Sequence, residues 1–122
     1  MKQKVHSVSY LAKAEFEFKN GVYDLVALPT GAEVVKVSLE VVGNTTTGDV
    51  SVGFKDETIK NYFLTLEHIG INANKALATS AKDYTATSNK VIVAEVKNAN
   101  TTDTKGVLRV LYFLPSVIEV EY

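Results

Sequence analysis

Between residues 32 and 54 the apolar side chains fall on alternate positions, and this pattern limits what the chain can fold into more than any motif it carries. Val35, Val37, Leu39 and Val41 alternate with Lys36, Ser38 and Glu40. After the polar stretch Gly43-Asn44-Thr45-Thr46-Thr47-Gly48, Val50, Val52 and Phe54 alternate with Ser51, Gly53 and Lys55. A period of two marks a strand with one buried and one solvated face. Two such runs around a short glycine-containing stretch predict an antiparallel hairpin with its turn at residues 43–48.

The same period runs through the rest of the chain. Val8, Tyr10, Ala12, Ala14, Phe16 and Phe18 hold six successive even positions, with Leu11 the one apolar residue among the odd ones. This predicts one long strand, or two with a kink. Lys19-Asn20-Gly21 reads as a turn, and residues 22–28 as a short strand ended by Pro29, which lacks the donor a central strand needs. Residues 56–61 are polar enough for one helical turn with Asp56 as its N-cap. Tyr62-Phe63-Leu64 and Leu66 suggest a short strand, and residues 69–83, rich in small and amide side chains, a long loop. Residues 90–97 and 107–114 read as strands around a polar turn. Beyond Pro115, residues 117–122 alternate once more. About eight strands at spacings near ten residues, with no convincing helix, predict a single all-β domain over residues 1–122: an antiparallel β-sandwich or jelly roll. Eighteen valines and twelve threonines suit pleated, half-buried surfaces.

The chemistry that these residues support is sparse. Without cysteine there is no disulfide framework, thiolate metal site or cysteine nucleophile. His6 and His68 stand far apart and in no metal-ligating spacing. There is no GxSxG elbow, P-loop or GxGxxG. Asp49, Asp56, Glu57 and Asp103 lack the spacing of a calcium loop, and Glu119 and Glu121 read as a wet strand face. No catalytic residue, cofactor or metal is expected, and the chain is not expected to be an enzyme. A net charge of −1 with one arginine among thirteen basic residues argues against a nucleic-acid groove or a polybasic membrane patch. The N-terminus lacks the apolar run of a signal peptide, so synthesis in the cytoplasm is expected. Tyr10, Tyr23, Tyr62, Phe63, Tyr84, Tyr112, Phe113 and Tyr122 leave a carbohydrate-binding or adhesin-like face as an alternative.

Three segments resemble tailed-phage virion proteins. Residues 23–37, YDLVALPTGAEVVKV, are similar to a pattern in which a hydrophobic-Pro-x-Gly-Ala turn leads into an alternating valine strand. Residues 49–54, DVSVGF, followed by Asp56 and Tyr62-Phe63-Leu64, and the strand GVLRVLY at 106–112 are similar to that family's second half. The resemblance implies a capsid decoration, or cement, protein of the jelly-roll type. Such a protein sits on the outer surface of the phage head in the virion, is made in the host cytoplasm, and has the major capsid protein and itself, as a homotrimer, for partners. Within this reading the expected interface residues are Ile69, Ile71 and Leu77 in the long loop, and Val117, Ile118, Val120 and Tyr122 at the end of the chain. The loop is expected to need a partner to become ordered, because it has little apolar area to bury. Residues 117–122 are expected to join a sheet edge, their own or a neighbour's.

Overall fold

The computed structural model describes residues 2–6, 8–67, 75–114 and 117–121. Its strands in chain order are β1 (Lys2–His6), β2 (Ser9–Glu17), β3 (Gly21–Leu28), β4 (Glu33–Phe54), β5 (Leu64–Leu66), β6 (Lys75–Ser80), β7 (Tyr84–Thr85), β8 (Lys90–Phe113) and β9 (Val117–Glu121). There is no helix among the described residues.

Two strands organise everything else. β4 and β8 pair with each other, antiparallel, from Glu33 with Phe113 to Phe54 with Ile92. This long ribbon bends double in its middle, so its two ends lie in two facing layers. In the first layer β2 pairs with residues 105–113 of β8, and β6 and β7 pair with the first part of β4. In the second, β3 pairs with residues 90–96 of β8, and β5 with residues 50–52 of β4. Counting each half of β4 and β8 as a strand, and leaving aside β1, β9 and the two-residue β7, the first layer runs β2, second half of β8, first half of β4, β6, and the second runs β3, first half of β8, second half of β4, β5. That is the winding of an eight-stranded jelly roll, as the alternation predicts.

The predicted hairpin at residues 43–48 does not form. Both arms belong to one strand, β4, and pair with β8 rather than with each other. The polar stretch is a corner, where a strand passes from one sheet to the other through bulges and bends. Register shifts interrupt the β4–β8 ladder at Val42/Asn44, Thr45/Thr47 and Thr47/Asp49. Gly43 takes φ +132, a conformation open to glycine at little cost. On the partner strand Asn98 (φ 56) and Asp103 (φ 50) turn the same corner, and these are the side chains that best tolerate the left-handed region. Asn98 donates to the Asp49 carboxylate at 3.0 Å and braces the bend. The polar stretch at residues 98–106, predicted as a turn, is likewise the interior of β8.

A bulge also corrects the phase of the opening pattern. The ladder slips between Val34 and Lys36, so Val34 is buried with Val37, Leu39 and Val41 while Val35 is turned outward. Inward from the first layer come Val37, Leu39, Leu108 and Val110; from the second come Val50, Val52, Phe54, Ile92, Ala94 and Val96. Phe18, Leu39, Ile92 and Leu108 are wholly excluded from solvent. Each such side chain contributes about 1.5–3 kcal/mol by leaving water. Phe16 lies opposite Gly106 in the β2–β8 register, with its ring over the glycine; any side chain at 106 would displace that ring.

Two further expectations are revised. Part of the predicted loop over residues 69–83 is the edge strand β6, because Ala78 is small enough to sit inward beside Leu39 while Leu77 points out. Residues 56–61 form turns and bends rather than a helical turn, the Glu57 amide donating to the Phe54 carbonyl at 3.2 Å. Finally, β9 pairs with β1 of its own chain, Ile118 opposite Val5 and Val120 opposite Gln3, as a separate two-stranded ribbon.

Candidate interaction surfaces

Several of the chain's acids are tied to its own bases. Asp24 accepts from Lys55 at 2.7 Å, Glu17 pairs with Lys19 at 3.0 Å and Glu15 with Lys105 at 3.7 Å. These three acids rim a groove of about 750 Å³, open to solvent, between β2 and β3. In it Tyr23 stacks on Phe16 at 5.3 Å between ring centroids. Asp56 pairs with Lys90 and so ties the turn after β4 to the start of β8. The hydrogen bond from Lys90 holds the Asp56 carboxyl below its ordinary range, and the same contact raises Lys90. Glu17 raises Lys19 through a hydrogen bond and its charge. Among the described residues no three His, Cys, Asp or Glu side chains gather as metal ligands. Of the acids considered for calcium, Asp49 is held by Asn98 and Asp56 by Lys90.

The aromatic residues mostly pack on one another. Phe54, Tyr62, Phe63 and Tyr84 meet at centroid distances of 4.5–5.5 Å in tilted and edge-on pairs. The Tyr62 hydroxyl donates to the Asp83 carbonyl, and Lys82 sits 3.9 Å above the Tyr62 ring. Tyr10 and Tyr112 make a second, edge-on pair, with Tyr10 half exposed.

The outer faces of the two sheets differ. On the second sheet, Gly53 and Val93 lie opposite each other and are buried, although they point away from the core. The backbone at residues 60–62 crosses directly over them, 2.6 Å from where a Cβ at Gly53 would stand. On the first sheet, cross-strand register places Leu11 opposite Leu111, Lys13 opposite Arg109, Lys36 opposite Leu111 and Ser38 opposite Arg109. Leu11 is 63% exposed. A shallow depression of about 290 Å³ is lined by Leu11, Lys36, Ser38, Arg109 and Leu111. None of the described side chains forms an ion pair with Lys13, Lys36 or Arg109.

Those of the expected interface residues that are described lie in two different sheets. Leu77 is 60% exposed on the edge strand β6, opposite Glu40. Val117, Ile118 and Val120 belong to the β1–β9 ribbon, a separate sheet. Ile69, Ile71 and Tyr122 lie outside the described residues. The sequence reading missed the Leu11–Arg109 face, although it carried two signals for it. Leu11 breaks the alternation of its strand, and Arg109 is the chain's one arginine. Only the register brings them together.

The described residues define an antiparallel β-sandwich, several of whose acids pair with its own bases and whose two outer faces differ. Comparison with solved structures makes this particular. The chain is 77% identical to a chain of the acid-stable capsid structure of Helicobacter pylori bacteriophage KHP30, over 100% of both chains, with a TM-score of 0.92. It belongs to the same family as that capsid chain, a family of phage virion structural proteins. A chain of the cyanophage Pam1 capsid asymmetric unit shares the fold at 22% identity, with a TM-score of 0.68 over 88% of this chain and 85% of that one. No protein-family model and no curated protein matches the chain.

Proposed function

We propose that this virion structural protein is a capsid decoration protein. It binds the outside of the phage head as a homotrimer and stabilises the shell by bridging major capsid subunits that already touch. The observation that carries this reading is the 77% identity, over the whole of both chains, to a chain of the KHP30 capsid structure. The physical case agrees with it. A rigid sandwich adds buried area between neighbours without bond chemistry, and several modest contacts held by one body act together.

The test is to compare heads made with and without this protein. Heads lacking it should assemble but release their DNA at a lower temperature, and adding the purified protein back should restore the difference. Equal thermal stability of the two kinds of head, or failure to assemble any head without it, would remove the decoration role. Mass measurement gives the oligomeric state; monomer alone, both free and on the shell, would remove the trimer.

A further inference from the structure

We infer that the outer face of the first sheet, around Leu11, Lys13, Lys36, Arg109 and Leu111, is the surface that docks on the shell, and that its partner is an acidic protein segment carrying an aliphatic side chain. The inference rests on the decoration reading and names the face and the chemistry that reading requires.

The argument begins with a cost. Lys13 and Arg109 face each other directly across the β2–β8 ladder, an arrangement in which like charges destabilise a sheet. Lys36 adds a third cation across the neighbouring β4–β8 ladder, beside Leu111. No described carboxylate lies within ion-pair distance of these three; Glu15, the next outward residue after Lys13, meets Lys105 instead. Other bases are used differently: Lys19, Lys55, Lys90 and Lys97 each reach a carboxylate of the same chain, as does Lys105, which meets Glu15 on this same face. Cations left unneutralised beside one another are the mark of a site that receives its counter-charge from outside.

The second observation is apolar. Leu11 and Leu111 stand side by side on this face, and Leu11 is 63% exposed between the outward Ser9 and Lys13 of its strand. Together with Lys36, Ser38 and Arg109 they form the shallow depression of about 290 Å³. That is room for one aliphatic side chain, with an arginine fork and two lysines within reach of carboxylates beside it. The outer face of the opposite sheet is covered by its own chain at Gly53 and Val93. On the first sheet's face Val107 is buried as well, but Leu11 stays exposed.

The test uses shells stripped of this protein and measures binding by co-sedimentation over a range of salt. The wild-type chain should bind saturably and more weakly as salt rises. The double variant Lys13→Glu, Arg109→Glu should bind roughly 100-fold more weakly. Lys55→Glu, which breaks a charge pair on the other sheet, should bind like the wild type. The single variant Lys13→Glu gives a readout that a structural role would not. It places opposite charges across the ladder, so it should melt at or above the wild-type temperature while binding less. Unchanged binding by the double variant, with the wild type binding normally, overturns this inference and leaves the decoration role standing. Failure of the wild type to bind any stripped shell overturns the decoration role itself. If light scattering shows the double variant dissociating into monomers while each monomer still binds shells, the occupant is a second copy and the inference falls. A mobility shift of duplex DNA that the double variant abolishes would assign the face to nucleic acid and overturn it as well.

Discussion

The two sheets of this sandwich share their central strands, since each half of β4 and β8 contributes to one of them. They nevertheless end in different outer surfaces. The second sheet is finished: the chain from Lys60 to Tyr62 covers its middle, Val93 is wholly excluded from solvent, and Asp24, Asp56 and Glu95 meet Lys55, Lys90 and Lys97. The first sheet has one pair of its own, Glu15 with Lys105, but it leaves Leu11 and Leu77 exposed and sets Lys13 opposite Arg109. One ribbon thus supplies a sheet closed by its own chain and a sheet whose outer side awaits another. A fold fixes where two such faces lie; the residues decide which is self-sufficient.

The largest expected effect tests the covered side. Val93→Asp puts a carboxylate in place of a wholly buried valine beneath residues 60–62, and should destabilise the protein by about 1–3 kcal/mol or more. Chemical denaturation of the purified variant measures this. Gly53→Ala comes next. Its new methyl meets backbone rather than a flexible side chain, so the crossing segment has to shift, at about 1–3 kcal/mol; a denaturation midpoint within error of wild type would mean that the cover is looser than described. On the open side Leu11→Ser should change stability by no more than about 0.5 kcal/mol. A large loss there would erase the contrast between the faces.

The smallest effect is on pH dependence. The Asp56 carboxyl is held below its ordinary range by Lys90. Its contribution is therefore present at neutral pH and is lost as pH falls from the ordinary carboxylate range through the lowered value. Lys90 is raised by the same contact, so its contribution is complete below the ordinary lysine range and fades as pH climbs through the raised value. The Asp56 carboxylate is open to solvent and Lys90 partly so, and screening keeps the effects small. Asp56→Asn should flatten the acid limb of a melting-temperature profile slightly and leave the docking face untouched.

Much of this architecture was legible in the sequence because strand periodicity is local. Val37, Leu39 and Val41, or Val50, Val52 and Phe54, declare their buried face within five residues. The corner was not, because a polar glycine-containing break looks the same whether the chain doubles back or carries on into a facing sheet. The partner strand decides which, and β8 lies dozens of residues away. Val35 was misplaced for a related reason: a bulge shifts the phase of alternation without leaving any mark in composition. Strand β6 was taken for loop because alanines at an edge resemble linker. The docking face depends on Leu11 meeting Leu111 and Lys13 meeting Arg109, contacts that no reading along the chain can supply.

The bent β4–β8 ribbon also governs how the protein comes to be folded. Every rung of it joins residues far apart in sequence, from Phe54 with Ile92 at the near end to Glu33 with Phe113 at the far end. Neither sheet has a centre until that ribbon forms, so no part of the sandwich is a complete unit beforehand. Closing such long loops before any reward places the protein among the slow folders, with times of milliseconds to seconds. Once closed, the same ribbon ties the two sheets into one cooperative unit. Unfolding either sheet exposes the central strands of the other, so loss of structure is expected as a single transition.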